Sequence, residues 1–438
     1  MNSKNKTKNN LLKYVWPSLL ATLGSIVVGL TDSALISYYS TYALAGVSLG
    51  ASFYELPVNC ILGALMAYRI LAPRVNSDSS HETIGIKLFF KIFVPISLFI
   101  SFVGIVFSIL IYRNNSDPVW TAALLYFAAR VPSLVAETIS TLVAIQLVSW
   151  GKTKVPIIIF CITAPFNLII DLFLIYGLFF FPELGVFGAG LGSAIASFIP
   201  LAYLFMVFRK EKKKYNKKSE IIVSNYKGWE KISLPSLGSA FVDYGGNIVF
   251  TALISAAGII ELAGMRFAIQ FHIVIFIIIS SFSGGILFVL GSKHKEEMRN
   301  EDFISIKNYI DKVFAKVFVF TLILFISFCV IFGRFVSPNE EVVHAFYKLA
   351  IFLVLIIPFA CIAYSNITLQ RFYGITLDDF KSNSLAVWGV QIPVALLLLN
   401  MFSGIWPFTG LLGYWIFRAF WSRKQVRTRF YKACDLEN

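Results

Sequence analysis

The composition of this chain suits lipid better than water as a solvent. Of its 438 residues, 57% are hydrophobic and only 14% are charged, with a mean hydropathy of +0.75, whereas soluble domains have about 25% charged residues. The five cysteines and four histidines lack metal-ligand spacing, which excludes the common zinc sites.

Twelve apolar runs, taken in chain order, are each long enough for a membrane-crossing helix, which needs about 20 residues. We predict these spans at residues 12–39, 43–73, 86–112, 118–150, 154–181, 185–208, 231–257, 260–291, 304–332, 341–371, 379–400 and 405–422. The runs do not alternate with period two, which excludes a membrane β-barrel. The predicted fold class is an all-α integral membrane protein with twelve transmembrane helices.

The Lys and Arg residues predict how these spans are oriented. If the N-terminus lies in the cytoplasm, the cytoplasmic loops, the tails and the adjoining helix ends hold all but five of the 38 Lys and Arg residues. By the positive-inside rule, both termini of this plasma-membrane protein are therefore predicted to be cytoplasmic. The net charge of +14 then reflects topology and attraction to the lipid bilayer, and we expect no nucleic-acid partner.

An internal repeat divides the chain into two halves. A shift of 218 positions aligns residues 13–46 with residues 231–264, and 11 of the 34 aligned pairs are identical, where chance would give about two. Each half has six spans and begins inside, so a pseudo-twofold axis along the membrane normal is predicted, as in transporters that bind cargo between two lobes. We predict an N-terminal six-helix lobe at 1–208, a basic cytoplasmic linker at 209–230, a C-terminal six-helix lobe at 231–422 and a basic cytoplasmic tail at 423–438.

Five segments resemble, in the same order, segments of one transporter family. They are GLTDSALISYYSTYALAGVSLG (29–50), GKTKVP (151–156), FNLIIDLFLIYG (166–177), LGVFGAGLGSAIAS (184–197) and SLPSLGSAFVDYGG (233–246). Together they are similar to the multidrug and toxic compound extrusion (MATE) family of the MOP flippase superfamily. The resemblance implies a twelve-helix antiporter that exports organic cations or amphipathic compounds in exchange for sodium or protons.

Four polar side chains in the first half are predicted to form a cation-coupling site. With a rise of about 1.5 Å per residue, Asp32, Asp171 and Ser193 lie about 10–14 Å below the outer ends of three different helices. Asn167 precedes Asp171 by four residues and shares its helix face. Their oxygen atoms suit a hard cation, and two nearby carboxylates can also share a proton.

The MATE resemblance supports this assignment, because the matching family positions form the cation site of the N-terminal lobe. It extends to Asp32, Asn167 and Asp171, while Ser193 keeps the hydroxyl of a position that is often threonine in the family. We therefore expect H+ or Na+ as the coupling ion, no metal other than sodium at Asp32 and Asp171, and no cofactor. The alternative is that the two acids only hold helices together through hydrogen bonds.

Other charges at membrane depth are predicted either to contact cargo or to hold helices together. Asp243 lies near the middle of the seventh span, where MATE proteins often have glutamate as a second-lobe contact. Arg130 and Glu55 lie at a similar depth of about 18 Å, which favours an ion pair between them. Glu137 is the rival partner of Arg130, and alternatively Arg130 binds an anionic group of the cargo.

Aromatic side chains make up 16% of the chain, and some are expected to line a cleft for flat, apolar cargo. The candidates are Tyr42, Tyr54, Tyr244 and Phe271.

These features predict a monomeric antiporter, not an enzyme, that exports small amphipathic or cationic compounds. The chain has no GxxxxGK[ST] motif, which argues against ATP as the energy source. A lipid-linked oligosaccharide flippase is the first alternative, although only Arg130 and Arg266 could supply buried cations for a pyrophosphate. An intramembrane lipid-modifying enzyme is the second alternative, although His272, the histidine placed within a span, has no acid within one helical turn.

Overall fold

The computed structural model describes residues 29–75, 83–113, 116–152, 154–214, 228–291, 300–335, 337–372, 376–402 and 404–428, and these ranges contain helices and no β-strand. The α-helices are α1 (29–39), α2 (Thr41–Ala64), α3 (Met66–Val75), α4 (Ile84–Tyr112), α5 (Pro118–Arg130), α6 (Ser133–Ser149), α7 (Val155–Tyr176), α8 (Gly185–Lys214), α9 (Glu230–Ala257), α10 (Ile259–Gly291), α11 (Asn300–Phe332), α12 (Glu340–Phe372), α13 (Thr376–Leu385), α14 (Ile392–Met401) and α15 (Thr409–Val426). A π-helical segment, Ala386–Gln391, joins α13 to α14.

Within the described ranges, eight helical segments are long and apolar enough to cross a membrane, and the bent pair of α5 and α6 makes a ninth. Each of these nine overlaps one predicted span. The other three predicted spans are 12–39, which lies mostly outside the described residues, 43–73, which is interrupted at Leu65, and 405–422, which corresponds to α15. The predicted fold class, an all-helical multi-pass membrane protein, is confirmed.

The chain packs as two compact units that differ from the predicted division. The first unit is Val27–Thr251, and the second contains the described residues from Ala252 onward. Most of α9 therefore packs with the first unit, although the repeat places it at the start of the second half. The predicted linker at 209–230 is helical up to Lys214, because α8 continues past the predicted end of the sixth span, and residues 215–227 lie outside the described residues.

Small residues allow close helix contacts in the first unit. A Cβ atom added at Gly46 of α2 would lie 2.4 Å from the Ala122 Cβ of α5, and one added at Gly50 would lie 2.5 Å from the Ala123 carbonyl oxygen. Helices in lipid associate largely through such van der Waals contacts, because lipid tails are as apolar as the side chains. The α2–α5 contact therefore depends on the absence of side chains at these two positions.

The fourth predicted span is broken near its middle. Helix α5 ends at Arg130, α6 begins at Ser133, and the two helix axes differ by 44°. Pro132 has no backbone N–H to donate to the Ala128 carbonyl, and the Val131 carbonyl accepts hydrogen bonds from Leu134 N at 3.1 Å and from Ser101 Oγ at 3.0 Å. The break places the charged side chain of Arg130 at a helix end inside the unit.

The core of the second unit is formed by α10, α12 and α15. Trp415 of α15 is 1% exposed, contacts the rings of Phe276 and Tyr364, and donates its indole N–H to His272 Nε2 at 2.9 Å. His272 accepts this hydrogen bond in the core, and no carboxylate among the described residues hydrogen-bonds to it. This arrangement gives no support to an acid–base role for His272.

Candidate functional site

Side chains from three helices meet in the first unit. Asn167 of α7 donates through Nδ2 to Asp32 Oδ1 of α1 and to Asp171 Oδ2 of α7, at 2.7 Å in both cases. Ser193 of α8 donates through Oγ to Asp32 Oδ2 at 3.2 Å. Because Asp32 Oδ1 and Asp171 Oδ2 each lie 2.7 Å from Asn167 Nδ2, these two oxygens can be no more than 5.4 Å apart. The structure thus brings the four predicted coupling residues together.

The site is removed from solvent and held by its own helices. Asp32, Asn167, Asp171 and Ser193 are at most 5% exposed. Asn167 and Asp171 are one helical turn apart on α7, so both reach the same neighbour. At the C-terminal end of α7, the Tyr176 hydroxyl donates to the Leu35 carbonyl at 2.6 Å, which is a further contact between α7 and α1. Tyr176 was not predictable from the sequence, since a tyrosine near a span end carries no distinctive signal.

Two glycines of α8 allow this helix to lie against the site. A Cβ at Gly188 would lie 2.4 Å from the Leu174 carbonyl oxygen of α7, and one at Gly192 would lie 2.0 Å from Asp171 Oδ1. Because the two positions are four residues apart, they form one face of α8 turned toward α7. The glycine spacing in the GAGLG sequence at 188–192 is the sequence signal for this close helix contact.

The donor set of the site suits a proton or a hard cation. The polar side-chain atoms of Asp32, Asp171, Asn167 and Ser193 are oxygens except for Asn167 Nδ2, whose NH2 group donates to both acids. Asp171 Oδ1 is buried without a hydrogen-bond partner among the described residues, and an uncompensated carboxylate oxygen in this environment is costly. A proton shared by the carboxylates, or a sodium ion bound to them, would remove that cost.

Arg130 does not form the ion pair that its depth suggested. Within the described residues it has no carboxylate at ion-pair distance, and its guanidinium carbon lies 4.9 Å from the centre of the Tyr54 ring. The Tyr54 hydroxyl donates to Glu137 Oε1 at 2.7 Å and lies 2.5 Å from Ser133 Oγ. The predicted pairing of Arg130 with Glu55 is therefore wrong, because α2 presents Tyr54 rather than Glu55 to the end of α5.

Glu55 instead neighbours the predicted second-lobe residues. Asn247 of α9 donates to Glu55 Oε2 at 3.5 Å, and Glu55 and Asp243 both interact electrostatically with Tyr244. Glu55, Asp243 and Tyr244 are half-buried, and all lie in the first unit. The structure thus groups two carboxylates from α2 and α9, at a place separate from the hydrogen-bonded set around Asp32.

The remaining aromatic candidates have different environments. Tyr42 is exposed near the start of α2, whereas Tyr54 is 4% exposed with its hydroxyl hydrogen-bonded inside the unit. Phe271 is also 4% exposed and packs on Phe325, Phe328 and Phe346 in the second unit. Tyr54 and Phe271 are therefore core side chains, which corrects their predicted position in a cleft. The prediction failed because helix rotation, which decides what a ring faces, is not visible in an apolar run.

Arg266, considered as a second buried cation, is 8% exposed in α10 of the second unit, and it is not without an interaction partner. No group of three or more His, Cys, Asp and Glu side chains in the described part of the chain has the geometry of a metal site.

Comparison with known proteins agrees with this architecture. Residues 17–173 match the MatE family model. The chain is 21% identical over 435 residues to a probable multidrug resistance protein NorM of Thermotoga maritima, covering 93% of this chain and 88% of the relative. It is 24% identical over 424 residues to a protein of the same name from Streptococcus pneumoniae, covering 92% and 90%.

The solved structures extend the similarity to the whole fold. The inward-facing conformation of a multidrug resistance MATE transporter of the MOP superfamily superimposes with a TM-score of 0.74 over 93% of this chain and 95% of that chain, at 13% identity. The family model, the full-length relatives and the fold all indicate the family suggested by the five sequence segments. The chain is therefore similar to MATE transporters in sequence over residues 17–173 and in fold over 93% of its length.

Proposed function

We propose that this protein is a secondary active antiporter that exports small amphipathic or cationic compounds across the plasma membrane by alternating access, in exchange for protons or sodium. The observation that supports the proposal best is the bridging of Asp32 and Asp171 by a single amide, that of Asn167. Two acids on different helices that share one buried donor form a site whose occupancy by a cation affects the packing of both helices. The relatives named as multidrug resistance proteins support a drug-like cargo.

The coupling ion can supply enough energy for export. One elementary charge that moves through 100 mV releases about 2.3 kcal/mol, which supports a concentration ratio of roughly 45-fold for an uncharged cargo. If a singly charged cargo exchanges for one ion, the membrane potential has no net effect. Two ions per cycle would restore the electrical driving force, and the two carboxylates provide two places for positive charge.

The test is transport of a fluorescent organic cation by the purified full-length chain in liposomes without ATP. We expect transport when a proton or sodium gradient of opposite direction is imposed, and loss of transport when an ionophore collapses that gradient. Protein-free liposomes provide the background, and separate pH and sodium gradients identify the ion. Equal transport with and without both gradients would contradict the antiport proposal.

The close contact between α8 and Asp171 gives a second test. A Cβ at Gly192 would lie 2.0 Å from Asp171 Oδ1, so Gly192→Ala is expected to displace this carboxylate and to lower ion-driven export by about tenfold or more. Gly238→Ala in α9 is the matched control, since a Cβ there meets no atom within 4 Å. Export by the two variants is compared at equal reconstituted amounts, and equal activity would show that the Gly192 contact does not position Asp171 for coupling.

A further inference from the structure

Arg130 is a half-buried cation that forms no ion pair with any of the described residues. Its Nη1 atom is buried and has no hydrogen-bond partner among the described residues, and its guanidinium group contacts the face of the Tyr54 ring. A cation–π contact contributes about 0.5–2 kcal/mol, whereas charges within a membrane protein usually persist in ion pairs. The contact with Tyr54 therefore holds the Arg130 guanidinium group less strongly than an ion pair would.

Three acidic side chains interact electrostatically with Arg130. One is Glu137 of α6, which accepts a hydrogen bond from Tyr54 of α2. The other two are Asp32 and Asp171, the two acids of the candidate coupling site. Tyr126, on the same helix as Arg130, is a further titratable group that interacts with it.

Helix α8 brings the Arg130 backbone and the coupling site to the same depth. A Cβ at Gly190 would lie 2.6 Å from the Tyr126 carbonyl oxygen and 3.3 Å from the Arg130 backbone nitrogen, whereas the Gly192 position lies against Asp171. Two residues along a helix correspond to about 3 Å of rise. The break after Arg130 and the carboxylates therefore lie on different faces of one short segment of α8.

We propose that Arg130 is the internal counter-cation of the coupling site. The guanidinium group rests on Tyr54 when Asp32 and Asp171 hold a proton or sodium ion, and it pairs with their carboxylates when that ion leaves. This inference rests on the proposed coupling function and assigns Arg130 a positioning role, because it acts on the ion through the two acids. A buried carboxylate pair without a cation would be strongly destabilised, and Arg130 supplies the compensating charge at the step of ion release.

The test measures ion dependence in Arg130→Gln, Arg130→Lys and Arg113→Gln. At an effective dielectric constant of about 20, removal of a unit charge even about 10 Å from the carboxylates is expected to tighten binding of the coupling ion about tenfold. In Arg130→Gln, the half-saturating sodium concentration should fall about tenfold or, for proton coupling, the pH midpoint of transport should move upward by about one unit. Arg130→Lys should stay close to the wild type because it keeps the charge. Arg113, an exposed residue at the end of α4, provides the matched control.

The measurements are sodium binding by calorimetry on the purified full-length protein and the pH and sodium profiles of transport in liposomes. Thermal unfolding of each variant identifies misfolding, in which case the folded Arg130→Lys variant and an Arg130→Met variant replace Arg130→Gln. An unchanged ion dependence without the Arg130 charge would overturn the inference. So would a loss confined to anionic cargo, since this would make Arg130 a cargo contact. If Asp171→Asn abolishes coupling and Arg130→Gln leaves the ion dependence unchanged, the inference fails while the proposed function stands. If transport by the wild type is the same with and without both ion gradients, the proposed function itself fails.

Discussion

The Asp171→Asn variant is expected to lose ion-driven export almost completely, by about a hundredfold or more, and still to fold. The carboxyl group of Asp171 accepts a hydrogen bond from Asn167 at 2.7 Å, and an amide oxygen can accept the same bond. The amide cannot take up a proton or balance the charge of a sodium ion, so the coupling ion loses one of its two carboxylates. The change also removes a buried oxygen that has no hydrogen-bond partner among the described residues. Unfolding is therefore expected at the wild-type temperature or above it.

Export in liposomes under the identified ion gradient, together with thermal unfolding, checks this expectation. Asp311→Asn provides the matched acid-to-amide control, because Asp311 forms an ion pair with Lys307 in α11 and its side chain is 48% exposed. The control should export at a rate close to that of the wild type. Normal export by Asp171→Asn would exclude the shared carboxylate pair as the coupling site, and a much lower unfolding temperature would indicate the purely structural role that the sequence analysis left open.

The second large effect is expected in the other unit, where Asp379→Ala should lower the free energy of unfolding by about 3–5 kcal/mol. Arg418 of α15 forms an ion pair with Asp379 of α13, and the Arg418 side chain is only 7% exposed. Arg418 Nη1 also donates to Asn383 Oδ1 at 2.9 Å and to the Tyr414 hydroxyl at 2.8 Å. Loss of the Asp379 carboxylate would leave the buried Arg418 guanidinium group with neutral hydrogen-bond acceptors alone. An uncompensated buried charge of this kind strongly destabilises the folded protein.

Equilibrium unfolding in mixed detergent micelles measures this change. Lys307→Ala is the matched control, because the Asp311 carboxylate that it would leave without its lysine is 48% exposed. Removal of such a partly exposed pair should cost about 1 kcal/mol or less. The double variant Asp379→Leu with Arg418→Met should recover much of the lost stability, since it removes both buried charges. Equal losses in Asp379→Ala and in the control would refute the assignment of a buried, stabilising pair.

The side chains that meet at the candidate coupling site were predictable because polar groups are conspicuous inside apolar runs. Asp32 and Asp171 interrupt membrane spans, where a charge is retained only with a partner, and the regular helical rise places both at a similar depth. Asn167 follows from the four-residue spacing on α7. Depth and helix face were thus sufficient to anticipate which side chains meet.

The same reasoning failed where rotation about a helix axis decides the contact. Arg130 and Glu55 have equal depth, but the neighbouring residue Tyr54 faces Arg130 instead. Phe271 was indistinguishable from a cleft residue by sequence, yet it packs among phenylalanines in the core. Neighbouring residues on a helix point about 100° apart around its axis. In an evenly apolar helix, the sequence has no polar and apolar faces that would show which of them points toward a neighbouring helix.

By itself, the sequence determined the membrane environment, the positions of the spans and the identity of the buried acids, because these depend on composition and on distance along the chain. Only the tertiary structure decided that one Asn167 amide group joins both carboxylates, that Gly192 gives Asp171 its space, and that Arg130 rests on a tyrosine rather than on an acid. Those features depend on how separate helices rotate and approach each other, and close packing between side chains of different helices sets that arrangement.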